Sequence, residues 1–323
     1  LTLRLGAPAN DSLASTGGPA AKALHRLERS GIGAGLVRPV EVLTGSPAQV
    51  RDAVARLPGV AGTGGFADTR TARSGGPASV VDVWTRQDPA TPSGAAAADR
   101  VRSAAERTGA DAGGITAQDD DFIEAVYGNA WWVLALIIVV TLLLLTRALR
   151  SVVLPLKALA LNVVSLAAAY GVTVLIWQHG VGVRTLFGQT ASGAITIWVP
   201  IAVFAFLFGL SMDYEVFLLA RIREEHDRGL STDDATVTGL SRTGRLVTSA
   251  ALILFLAFVS LSRVPSTDVK ILATALALGI IIDATLIRGV LAPALVAALG
   301  EANWRFPWPR GSSGRSRGGA KPR

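Results

Sequence analysis

The sequence has no cysteine, which excludes disulfides, thiolate metal sites and cysteine nucleophiles. Charged residues are scarce, 17% where about a quarter is usual, while half the residues are apolar and the mean hydropathy is +0.44. That balance excludes a disordered chain and argues against an ordinary soluble domain. Methionine occurs once, at Met212, so a chain starting at Leu1 reads as part of a longer protein. The few charges lean basic, 31 Lys and Arg against 24 Asp and Glu, a net +7. A nucleic-acid partner is therefore open until the position of the excess is known.

That excess lies in the apolar part of the chain. Residues 1–124 hold 13 basic and 14 acidic residues, and the remainder holds 18 and 10. The second part contains charge-free runs at Ala125–Thr146, Ala158–Val183, Thr185–Met212 and Leu246–Ser262, and a fifth run, Ile271–Gly300, broken only by Asp283 and Arg288. A helix needs about 20 apolar residues to cross the hydrocarbon core. The pattern predicts five spans near residues 129–147, 153–177, 196–220, 245–263 and 270–298. Five buried helices of a soluble domain are the alternative, but such helices rarely run 20 residues without a charge.

Basic residues flanking the spans set the expected orientation. Arg147, Arg150, Lys157, Arg221, Arg223, Arg228, Arg242, Arg245 and six more after residue 300 fall on one side, against Arg184, Arg263 and Lys270 on the other. The positive-inside rule places the first group in the cytoplasm and residues 1–124 outside the plasma membrane. Trp131, Trp132, Trp177, Trp198, Trp304 and Trp308 fall near span ends, as an aromatic belt would. The basic tail, residues 301–323, then reads as a cytoplasmic topogenic or lipid-binding segment, with no nucleic-acid partner.

In the outer region, strands are expected at Val37–Thr44, Val60–Phe66, Ser79–Thr85 and near Gly113–Ala117. Helices follow Ser46-Pro47 and run through Ala95–Gly109. The order β-α-β-β-α-β suggests a ferredoxin-like split βαβ unit, giving an α+β extracytoplasmic domain ahead of a five-helix bundle. The region has no Gly-rich phosphate loop and no catalytic triad, and His25 is its only histidine. An enzyme, a cofactor site and a metal site are not expected.

Charges inside spans cost about 2.5–3.5 kcal/mol each on insertion scales, so those present mark function. The segment FGLSMDYEVFLLARIREE puts Asp213 and Tyr214 inside the third span, where a buried acid next to a hydroxyl is a candidate proton carrier. Gly209 lies one turn before Asp213 and would let another helix approach. Asp283 and Arg288, five residues apart, would lie on different faces of an α-helix and meet partners on neighbouring helices. Thr248 and Ser249 in the fourth span could add hydroxyls to a proton path, or bond their own backbone.

The third-span segment, with RTGRLVTSAALIL, TDVKILATALALGIIIDATLIRGVLAPALVAALG and ANWRFP, resembles the C-terminal half of MMPL transporters, of the resistance-nodulation-division superfamily. LRLG, LPGV and GGITAQDDD in the outer region fit the same pattern. The resemblance implies half of a twelve-span, proton-driven exporter of lipids, hydrophobic metabolites or drugs, whose partner would be the missing N-terminal repeat. It implies that Asp213 and Tyr214 form half of a proton relay, joined by Asp283, Arg288 and Thr248 or Ser249. A non-transporting scaffold or sterol-sensing-type receptor of the same architecture is the alternative, although it has no need of titratable acids within spans.

Overall fold

The computed structural model describes residues 2–8, 10, 18–30, 33–70 and 77–304. Helix α1 (Pro19–Arg29), which carries His25, precedes a four-stranded sheet: β1 (Val40–Thr44), β2 (Val60–Arg70), β3 (Pro77–Thr85) and β4 (Asp111–Gly113). Helix α2 (Pro47–Val54) links β1 to β2, and α3 (Pro92–Glu106) links β3 to β4. The strands lie in the order β2-β3-β1-β4, and each neighbouring pair is antiparallel.

Alternation explains the layer. Val40 and Val42 of β1 pair with Val83 and Val81 of β3 and are fully buried, whereas Glu41 between them is exposed. These β-branched residues pack against Val50 and Val54 of α2 and Ala98, Val101 and Ala105 of α3. Pro47 sits in the first turn of α2, where its missing N–H costs nothing, and the Thr91 hydroxyl caps α3 by accepting from the Gly94 amide at 3.2 Å. Two strands are shorter than expected. Residues Ala34–Val37 form a 3₁₀ turn ahead of β1, and after β4 Gly114, at φ +97°, turns the chain so that Ile115 is already helical.

Helix α4 (Ile115–Tyr127) leads into the bundle, and the Tyr127 hydroxyl donates to the Ile197 carbonyl at 2.6 Å. All five expected spans form helices: α5 (Ala130–Leu149), α6 (Val153–Thr173, extended by a π turn, Val174–Gln178), α8 (Val199–Asp227), α9 (Thr232–Leu261) and α10 (Thr267–Ile282). A short α7 (Val183–Phe187) lies between α6 and α8. After α10 the helix widens into a π segment, Asp283–Leu291, and then continues as α11 (Ala292–Leu299) and a 3₁₀ turn, Gly300–Trp304. Pro293 has no N–H to return to the previous turn, a standard reason for a helix to change its bonding register.

The aromatic residues divide into two groups. Trp131 and Trp132 are 75% exposed at the start of α5, as belt residues would be. Trp177 is not in the belt: it is fully buried, stacks on Phe187 and donates its indole N–H to the Thr274 hydroxyl at 2.7 Å. Trp177 lies in the π turn Val174–Gln178, where Val174 is buried as well. At the other end of the bundle Trp304 stacks on His226 and donates to the Thr232 hydroxyl. Trp308 and the basic stretch 305–323 lie outside the described residues.

A short strap joins the N-terminal unit to the bundle. Leu5 pairs with Ile195 in a parallel bridge, with Gly6 N–H to Ile195 O at 3.1 Å and Ile195 N–H to Arg4 O at 2.8 Å. Gln178, at the end of the α6 π turn, bonds the same segment at Thr2 O and Arg4 N. Helices α8 and α9 meet closely at Gly239, where an added Cβ would lie 2.7 Å from Ile222 Cγ1 and 3.1 Å from its Cα. Gly239→Leu is therefore expected to cost about 1–3 kcal/mol by overpacking, measured as a lower melting temperature of the protein in detergent.

Candidate functional site

Polar groups converge where α8, α9 and the α10 extension meet. Asp283 and Arg288 are both buried and form an ion pair, Nη2 to Oδ2 at 2.6 Å. This corrects the expectation that they occupy different faces. In an α-helix residues five apart are separated by about 140°. These two lie in the π segment, whose backbone bonds run i→i+5, so they stack on one face.

Helix α8 supplies the remainder of the cluster. The Ser211 hydroxyl donates to Asp283 Oδ1 at 3.0 Å, and Arg288 Nη2 donates to the Ser211 carbonyl at 2.6 Å. The guanidinium carbon lies 5.2 Å from the centroid of the Tyr214 ring, a cation–π contact. Arg288 Nε and Nη1 have no partner among the described residues. Beside them is a cavity of about 20 Å³, lined by Ser211, Tyr214, Val247, Ala251, Asp283 and Arg288, which has room for one water.

Asp213 is not in this cluster. It points away from the bundle and is exposed, and its side chain has no hydrogen bond or ion pair among the described residues. It shares its face of α8 with Ile201, Ala205, Gly209 and Phe217, which recur every four residues and are also exposed. Nothing lies within 4 Å of where a Cβ on Gly209 would be. The acid expected to be buried is thus on the outer face, because Tyr214 and Ser211 turn inward and Asp213 lies on the opposite side of α8, which is exposed among the described residues. Thr248 and Ser249 are exposed on α9 and outside the cavity lining, and the Ser249 hydroxyl bonds its own backbone at Arg245 O, 2.8 Å.

Two further groups face this region, one of them neutral and one a charge beside the Asp213–Tyr214 pair. Ser211 is a neutral residue in an apolar run. Glu215, 3% exposed, follows it by one helical turn on the same inward face. The i, i+4 spacing was the available clue, but it required knowing which face of α8 is inside.

Five helices long and apolar enough to cross a bilayer, with charges gathered between them, define a multi-pass membrane protein. The MMPL family model matches residues 43–317, and the chain belongs to that family. It is 41% identical over 197 residues to the mycolic acid-containing lipids exporter MmpL11 of Mycolicibacterium smegmatis, covering 61% of this chain and 20% of the relative. Against the heme uptake protein MmpL11 of Mycobacterium tuberculosis it is 40% identical over 208 residues, 64% of this chain and 21% of the relative. Against the trehalose monomycolate exporter MmpL3 of Mycolicibacterium smegmatis the identity is 36% over 199 residues, 60% of this chain and 19% of the relative. These alignments span about a fifth of the relatives' length.

The buried pair makes a prediction about stability. Asp283→Leu leaves Arg288 as an uncompensated buried cation and is expected to cost about 3–5 kcal/mol, whereas Asp283→Leu with Arg288→Met is expected to recover most of that loss. Melting of the two purified variants in detergent against the parent chain checks this, and equal losses in both would contradict it.

Proposed function

We propose that the chain is the C-terminal half of a proton-driven exporter of lipidic or otherwise hydrophobic cargo. The observation that carries the reading is Asp213: an unpaired carboxyl, exposed in the interior of a membrane-spanning helix, beside a tyrosine that contacts the inner charge cluster. A carboxylate against lipid is costly, so the face bearing Ile201, Ala205, Gly209, Asp213 and Phe217 calls for a protein partner. The missing N-terminal repeat, with an acid of its own, fits that face. Gly209 would admit its helix closely.

In this reading Asp213 takes up a proton from outside and is neutralised, and the two halves repack. Tyr214 carries the change to Arg288, Asp283 and Ser211, and release to the cytoplasm resets the cycle. Thr248 and Ser249, exposed on the neighbouring helix, belong to the same contact with the other half. The outer sheet has the connectivity and strand order of a ferredoxin-like unit, which supports a porter domain in residues 1–124 ahead of the membrane domain in 125–300. Basic flanks support a cytoplasmic end at residues 301–323 in the plasma membrane. Relatives named as exporters of mycolic-acid lipids support an amphiphilic, long-chain cargo.

Asp213→Asn in the intact transporter is the test. With the protein present at parental levels in the membrane, lipids extracted from the cell surface should match those of a deletion strain. Undiminished surface lipid would refute proton coupling at this residue.

A further inference from the structure

One buried acid has no part in the scheme above. Glu215 is 3% exposed and makes no hydrogen bond or ion pair among the described residues. A carboxylate so placed is costly unless cations can reach it. Its helix neighbour one turn back, Ser211, holds Asp283 and Arg288 of the π segment, and Lys157 of α6 adjoins Ala158, which packs in the same cluster as Leu218 and Leu219 of α8. On its own helix Asp213 points out and Tyr214 lies between the two acids in sequence.

Both cations are partly committed elsewhere. Lys157 Nζ donates to the Leu295 carbonyl at 3.2 Å and to the side-chain oxygen of Asn303, which is itself fully buried and anchored by the Val296 and Gly300 carbonyls. Arg288 Nη2 is held by Asp283 and the Ser211 carbonyl, but its Nε and Nη1 are free donors in a buried site. An unpaired carboxyl and two unpaired donors thus lie on the inward side of α8 among the described residues. Such an arrangement suits two states: a protonated Glu215 that needs no ion pair, and an ionised one that engages the unused donors of Arg288 and the ammonium of Lys157.

The packing also gives this acid a direction. Beyond Glu215 the inward face of α8 is closed by Leu218, Leu219 and Ile222, which pack with Leu149, Leu154, Ala158 and Val296. A straight route along α8 toward the chain terminus is therefore dry. Beside that plug lie two polar groups joined by a hydrogen bond, Lys157 near the start of α6 and Asn303 in the closing turn.

We propose that Glu215 is a second proton-carrying group of this half, inside the bundle, and that it releases its proton to water on the Lys157–Asn303 side. In that step the Glu215 O–H bond breaks, the proton leaves on water, and the carboxylate is held by Arg288 and Lys157. The proposal rests on the proton-coupled reading of Asp213 and extends it from the outer face of α8 to the inner one.

The test combines two readouts on the intact transporter. Infrared difference spectra between acid and neutral pH, on protein in lipid nanodiscs, should show the C=O band of a protonated carboxyl that disappears in Glu215→Gln and persists in Asp213→Asn. Surface lipid in cells should fall in Glu215→Gln to the level of Asp213→Asn and be restored by Glu215→Asp. A band unchanged in Glu215→Gln, or full export by that variant while Asp213→Asn is inactive, overturns this proposal and leaves the Asp213 reading standing. Full export by Asp213→Asn removes the Asp213 reading and this extension with it. If Glu215→Gln does not accumulate, Lys157→Gln replaces it: the band's pH midpoint must move, and an unmoved midpoint overturns the proposal.

Discussion

A guanidinium buried between three membrane helices has no bulk water to fall back on, only a cavity with room for one molecule, and the arrangement around Arg288 follows from that. One carboxylate, one backbone carbonyl and one aromatic face surround it, drawn from the π segment and α8. The pairing with Asp283 depends on the wider π turn, because an α-helical register would carry the two side chains to separate faces. Local backbone bonding and charge satisfaction are therefore one problem here. Straightening the helix would strand a cation in the bundle, and removing the ion pair would leave Pro293 as the remaining reason for the poorer π geometry.

This coupling also explains which parts of the architecture were legible in the sequence. The five spans could be read because a run of about 20 uncharged residues has few other uses. The valines of β1 and β3 could be read because period-two alternation survives in five-residue strands. The Asp283–Arg288 contact could not, since five-residue spacing was projected onto an α-helix and no residue type announces a π segment. Pro293 was the one visible hint.

Trp177 and Asp213 show a related limit. Both were placed by depth along a span, but their roles depend on rotation about the helix axis. With a hydrophobic residue at nearly every position, an intramembrane helix has little amphipathic signal to fix that rotation. Trp177 turns into the core and Asp213 turns out of it. Glu215, two residues further on, is the acid that faces inward, so the position of greatest burial moved from the acid the motif emphasises to its neighbour.

The inward and outward faces of α8 then stand in different relations to the rest of the molecule. The inward face is nearly complete: Ser211, Glu215, Leu218 and Ile222 meet the π segment, α6 and α9. The outward face is an exposed stripe of small and apolar residues around one carboxyl, and among the described residues nothing lies within 4 Å of a Cβ placed on Gly209. Tyr214 lies between them, so a change in charge at Asp213 need travel only across the width of one helix to reach Arg288.

The helix that would feel such a change is not free to move alone. The residues leading into α8 carry the Ile195 bridge to Leu5, and the same strap is bonded by Gln178 at the end of α6. The Tyr127 hydroxyl adds a contact from α4 to Ile197, two residues further along. Shifting α8 along its axis therefore means either breaking backbone hydrogen bonds to the strap or carrying the strap, and with it the start of the N-terminal unit. Breaking several bonds of about 1 kcal/mol each would be costlier than moving a short segment as a body, so the strap links the N-terminal unit to the helix that carries both Asp213 and Glu215.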